Sequence, residues 1–156
     1  MSTPPKGRIF LSYRRADSRY ATLSIYDRLV AHFGDDAVFM DVETIDAGAN
    51  FVKVLENAVR SCDVLIAVVG ENWLSIKDKE GNRRLDNEND FVRVEVSTAL
   101  QRDICVIPVL LDDAPILRAI ELPDDLKPLA KRNAFFVKAN AIHADITRLI
   151  PHIERA

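Results

Sequence analysis

"DVLIAVV", Asp63–Val69, decides the fold. Six consecutive apolar residues leave no polar face, so as a strand this run needs cover on both sides, as a central strand of a parallel sheet does. "ICVIPVLL", Ile104–Leu111, reads the same way. Working outward, three more short apolar runs complete a set of five strands: "RIFLSY" (Arg8–Tyr13), "AVFM" (Ala37–Met40) and "AFFV" (Ala134–Val137). Helical patterns lie between them. Ala21, Ile25 and Leu29 recur every fourth residue ahead of Phe33, with Gly34 as a stop signal. Phe51, Leu55 and Val59 recur likewise behind Asn50, a candidate N-cap. Val92, Val96, Ala99 and Leu100 form one buried stripe, and Phe91 and Glu95 share its rim as an i, i+4 pair. A short helix is predicted near Asp124–Ala130. A last one carries Ile142, Ile146, Leu149, Ile150 and Ile153, and Pro151 is expected to kink or end it. Strands alternating with helices predict an α/β fold: a flavodoxin-like, doubly wound, five-stranded parallel sheet with helices on both faces.

The bulk numbers agree with one domain. A chain of 156 residues, 48% apolar and 29% charged, buries a full core. Residues 1–7, with Pro4, Pro5 and Gly7, read as a flexible lead, and residues 8–156 as a single domain. A formal net charge of −3 gives no electrostatic footprint for nucleic acid. No apolar run approaches the ~20 residues of a membrane span. Cys62 and Cys105 sit in apolar runs outside any metal-binding spacing, which predicts inert thiols in a reducing cytoplasm. His32, His143 and His152 have no partners at metal-ligand spacing, so no metal site is expected.

In such a sheet ligands bind at the carboxyl ends of the strands. Strand one ends "SYRRADS", without the GxGxxG that close approach to a dinucleotide's pyrophosphate demands, so a hydride-transfer enzyme is disfavoured. The paired acids of a phospho-acceptor receiver are absent too. Instead Arg14 and Arg15 stand there; guanidinium forks suit phosphate or carboxylate, and a structural salt bridge to Asp17 is the competing reading for one of them. Strand two runs into an acidic loop, "MDVETIDAGANF", readable as a lid, a contact arm for another copy, or plain surface, with Gly48 as its flexible point. Strand three leads into a long polar loop, Gly70–Asp90; Trp73 reads as lining the cleft or, the expectation favoured here, as packing under that loop. Asp112 and Asp113 read equally as ligand contacts or as a turn.

Five boxes in order, "IFLSYRRADS", "VFMDVETIDAGANFVKVLENAV", "CDVLIAVVGENWL", "FVRVEVSTAL" and "VIPVLLD", resemble Toll/interleukin-1 receptor (TIR) domains of the bacterial type, from about Arg8 to the final helix. Many members of that family cleave NAD+ at the nicotinamide–ribose bond. The resemblance implies Glu95 as the catalytic carboxylate, four residues after an aromatic that is Phe91 here where tryptophan is commoner. The family's first-strand arginine falls on Arg14 or Arg15, and its BB-loop contacts on Asp41–Phe51, including Asp41, Glu43, Gly48 and Phe51. Further implications are NAD+ as substrate with no cofactor, activation by association with other TIR domains, and a separate or fused sensor module, with a role in antiphage defence. The alternative is a non-catalytic TIR module that recruits other TIR domains.

Overall fold

The computed structural model describes residues 8–40 and 48–156. All five expected strands form: β1 (Ile9–Ser12), β2 (Val38–Phe39), β3 (Val64–Val69), β4 (Cys105–Leu111) and β5 (Phe135–Val137). They pair in parallel in the order β2-β1-β3-β4-β5. The order reverses between β1 and β3, the switch point at which such sheets open a crevice. Pro108 lies within β4, yet β5 pairs only from Val109 onward, so at Pro108 the strand is locally an edge and its missing N–H is tolerated.

Period-2 alternation divides the core. Phe10, Leu65, Ala67, Val69, Val106 and Leu110 face α2 (Phe51–Arg60) and α3 (Phe91–Gln101). Ile9, Leu11, Ile66, Val68, Val109 and Leu111 face α1 (Arg15–Phe33) and α4 (Ile142–Glu154). Each fully buried aliphatic side chain of this kind is worth about 1.5–3 kcal/mol. Ser12 follows Phe10 by two residues and so points to the α3 side, a position that matters below.

Local signals mostly hold. Gly34 ends α1 at φ 93°, its N–H reaching the Val30 carbonyl. Asn50 caps α2, accepting from the N–H groups of Val52 and Lys53. Asp124–Lys131 is a 3-10 helix. Pro151 does not end α4, which continues to Glu154. Ile146, Leu149, Ile150 and Ile153 are buried on both sides of the proline, and a single missing N–H in the last turn costs less than releasing them. The third helix also departs from its predicted single stripe. Val94, Glu95, Ser97 and Thr98 are buried along with Val92, Val96 and Ala99, because α3 is flanked by α2 on one side and the 124–131 helix on the other. α1 contains a break at Ser18 (φ −142°, ψ 28°), bridged by the Thr22 hydroxyl donating to the Ser18 carbonyl.

The β3–α3 loop is ordered from within. Lys77 and Arg83 form an antiparallel bridge, Asp78 accepts from the N–H groups of Glu80 and Asn82, and residues 84–86 make one 3-10 turn with Leu85 fully buried. Trp73 is fully buried beneath it, as expected.

Candidate active site

Beyond the carboxyl ends of the strands lies a cleft of about 650 Å³. Glu95, Phe91, Arg14 and Arg15 line it, so the structure gathers four of the expected residues into one place. Phe51 joins them indirectly: its ring packs on Phe91 with centroids 5.1 Å apart, tying the first turns of α2 and α3 together. Gly48 is exposed ahead of α2 at φ 84°, a left-handed conformation that favours glycine, and it does not line the cleft. Asp41 and Glu43 lie outside the described residues.

Glu95 and Phe91 divide the helix flank between them. Glu95 is 8% exposed and Phe91 49% exposed, so the carboxylate occupies the inner end and the ring stands at the opening. The Ser12 hydroxyl, at the tip of β1, donates to Glu95 Oε1 at 2.8 Å. A carboxylate so deeply placed is costly to desolvate and therefore needs such donors. Arg93 does not compete for it; that side chain holds Asp125 at 3.1 Å and the carbonyls of Leu85 and Asp86.

Arg14 is a structural clamp as well as a cleft residue. Only 4% exposed, it grips both carboxylate oxygens of Asp90 at 2.9 and 2.8 Å. Its Nε donates to the Trp73 carbonyl at 3.2 Å, and its guanidinium lies 5.9 Å from the Trp73 ring centroid. Asp90 simultaneously caps α3 by accepting from the Arg93 N–H. One bidentate pair thus locks the end of β1 to the start of α3, one turn before Glu95. Arg14 therefore pairs with Asp90 rather than Asp17. Asp17 accepts from the N–H groups of Gly70 and Asn72 at 2.9 and 2.8 Å, bracing α1 against the end of β3. A Cβ on Gly70 would stand 2.6 Å from that carboxylate, which is why glycine occupies the position.

Sequence reasoning missed Ser12 and Asp90. A hydroxyl two residues after Phe10, on the face that meets α3, and an aspartate immediately ahead of a helix were the available signals. Asp112 has a turn role: at φ 33° it accepts from the Ala139 N–H. It lines a second cavity of about 550 Å³ with Asp17 and Glu71. Both cysteines are free; Cys62 is buried, with burial pushing its thiol up to about 11, whereas Cys105 is only half-buried. Among the described residues no cluster of His, Cys, Asp and Glu could hold a metal, and no helix is long and apolar enough to cross a membrane.

The TIR domain family model matches residues 9–150. NAD(+) hydrolase sarm1 of Drosophila melanogaster is 28% identical over 150 residues, 94% of this chain but only 10% of that protein's length. The TIR domains in the structure of the activated Roq1 resistosome directly recognizing the pathogen effector XopQ superpose with a TM-score of 0.64. They cover 92% of this chain and 99% of that one, at 15% identity, a likeness of fold alone.

Proposed function

Because the chain belongs to the TIR domain family, we propose that it is an NAD+ nucleosidase, releasing nicotinamide and leaving ADP-ribose or a cyclic isomer of it. A single observation carries this reading: a buried glutamate, hydrogen-bonded by Ser12, faces a cleft whose opening is walled by an exposed aromatic ring. The likeness to an NAD(+) hydrolase supports it.

The chemistry asks for little more. Most glycosidases use two carboxyl groups because the leaving group must be protonated. Nicotinamide in NAD+ is already a pyridinium: when the C1′–N1 bond breaks, the nitrogen keeps the electron pair and departs neutral, so no general acid is required. What remains is a cationic, oxocarbenium-like ribose. A fixed, desolvated carboxylate stabilises that charge more in the transition state than in the ground state. Glu95 fills this role and accepts hydrogen bonds from the ribose hydroxyls, Phe91 packs on a flat ring of the ligand, and the Arg14–Asp90 clamp holds α3 in place. Capture by water gives ADP-ribose, the water's proton passing to solvent; capture by a nucleophile of the same ligand gives a cyclic product. NAD+ is substrate here, and no cofactor takes part.

In this reading, association with further copies or with other TIR domains completes the site, under the control of a fused or separate sensor, and NAD+ loss serves defence against phage. Activity then rises faster than linearly with protein concentration. The second reading, a docking module without catalysis, is favoured by the exposed apolar side chains Ile116, Ile120 and Phe136. Incubating the purified domain with NAD+, with and without a crowding agent, and separating nicotinamide by chromatography decides between them. Nicotinamide release that disappears in Glu95→Gln supports the enzyme; no release under crowded conditions leaves the docking module.

A further inference from the structure

We propose that Arg84 is the phosphate-binding residue of the cleft, gripping the anionic part of a dinucleotide whose cationic end lies against Glu95. This inference rests on the dinucleotide reading above and adds to it which part of the ligand the outer wall recognises.

The β3–α3 loop sets two successive arginines to different tasks. Arg83 turns away from the cleft; its guanidinium donates to the Glu121 carbonyl at 2.7 Å and to the Asp86 carboxylate at 2.6 Å. Arg84 lines the cleft, is exposed, and forms no ion pair with the described residues. Its backbone is nevertheless fixed. The Arg84 N–H donates to the Ile76 carbonyl at 2.9 Å, its carbonyl accepts from the Asn87 N–H at 3.0 Å, and neighbouring Leu85 is fully buried. A cationic fork on a pinned backbone, with no ion-pair partner among the described residues, loses less freedom on binding than one on a slack loop. Arg14 offers nothing comparable, because both its terminal nitrogens are taken by Asp90.

The cleft carries both signs of charge: Arg15 and Arg84 line it together with Asp78, Asp90 and Glu95, and of these Glu95 is buried while Arg84 is exposed. The buried carboxylate of Glu95 marks the inner end and the exposed guanidinium of Arg84 the outer wall. NAD+ carries its positive charge on the pyridinium and its negative charge on the diphosphate that follows the first ribose. Placing the pyridinium ribose at Glu95 sends the diphosphate outward, toward Arg84. A phosphate on the adenosine ribose offers the same chemistry farther along.

Isothermal titration of the whole chain with ADP-ribose, which cannot be cleaved at this bond, isolates the subsite from turnover. Arg84→Gln is expected to weaken ADP-ribose binding at least ~10-fold, the scale of a hydrogen bond to a charged group, while Arg84→Lys recovers part of the loss. Binding to the native chain is expected to fall with added salt, and to fall less steeply in Arg84→Gln. Repeating the titration with 2′-phospho-ADP-ribose distinguishes the two sources. An equal loss for both ligands assigns Arg84 to the diphosphate, and a loss confined to the second assigns it to the 2′-phosphate. Unchanged affinity of Arg84→Gln for both ligands, or no saturable binding to the native chain, overturns the proposal. If ADP-ribose binds through Arg84 while NAD+ is not cleaved, the nucleosidase reading fails and the phosphate site stands.

Discussion

Two cavities open at the carboxyl end of the same sheet, and they spend their charges differently. In the smaller, Asp17 is consumed by the N–H groups of Gly70 and Asn72, and Asp112 by that of Ala139. Those carboxylates are structural members. In the larger, the bracing is delegated to Arg14 and Asp90, and Glu95 is placed behind them with a serine hydroxyl as donor. The lesson is that a count of acids near a strand end says little about chemistry; what matters is which of them the backbone already holds.

The severest way to break this contrast is to cut the brace of the larger cavity. Arg14→Ala leaves the part-buried Asp90 carboxylate with the Arg93 N–H but without its cation, and is expected to cost about 3 kcal/mol in urea unfolding, with cleavage lost as α3 shifts. The double variant Arg14→Met, Asp90→Leu should cost less stability than Arg14→Ala alone, since neither charge is then left unpaired. Next comes the chemistry. Glu95→Gln should lower nicotinamide release at least ~10²-fold with the melting temperature retained, whereas Asp112→Asn should leave the rate within about twofold. Equal losses in the two would erase the distinction between the cavities. Smaller again, Gly70→Ala should cost about 1–3 kcal/mol, because its Cβ overlaps the Asp17 carboxylate and the smaller cavity's brace must give. Unchanged stability there would show that Asp17 moves freely. The mildest effect is on pH. Cys62 has its thiol raised from 9.0 to about 11 by burial, so the folded chain holds that proton longer than the unfolded chain. Stability is therefore intact below pH 9 and declines as pH rises toward 11. Urea midpoints at pH 8 and pH 10.5 should differ less in Cys62→Ala than in the native chain.

How much of this could be read from the sequence follows from the range of the interactions. The strands, the Asn50 cap and the Gly34 stop are local, set by period and by neighbours within a few residues, and the sequence displayed them. The clamp and the support of Glu95 join residues 76 and 83 positions apart, beyond any periodic pattern. Glu95 itself was visible through its spacing from Phe91 and through family resemblance; its depth was not, because the burial of α3 on two sides depends on the 124–131 helix docking against it. Of the two outcomes expected at Pro151, a kink or an end, the end does not occur for a related reason: a local rule met four isoleucine and leucine anchors that only the packed core reveals.

The break at Ser18 divides the first helix into a short collar bearing Arg15 and Asp17 and a long shaft bearing Ile25 and Leu29. The helical backbone is kinked at Ser18, whose N–H still donates to the Arg14 carbonyl and whose carbonyl accepts from the Thr22 hydroxyl, so collar and shaft meet at a joint rather than along one continuous axis. A lineage could in this way refit the rim of the sheet for a different ligand while leaving the interior beneath it untouched.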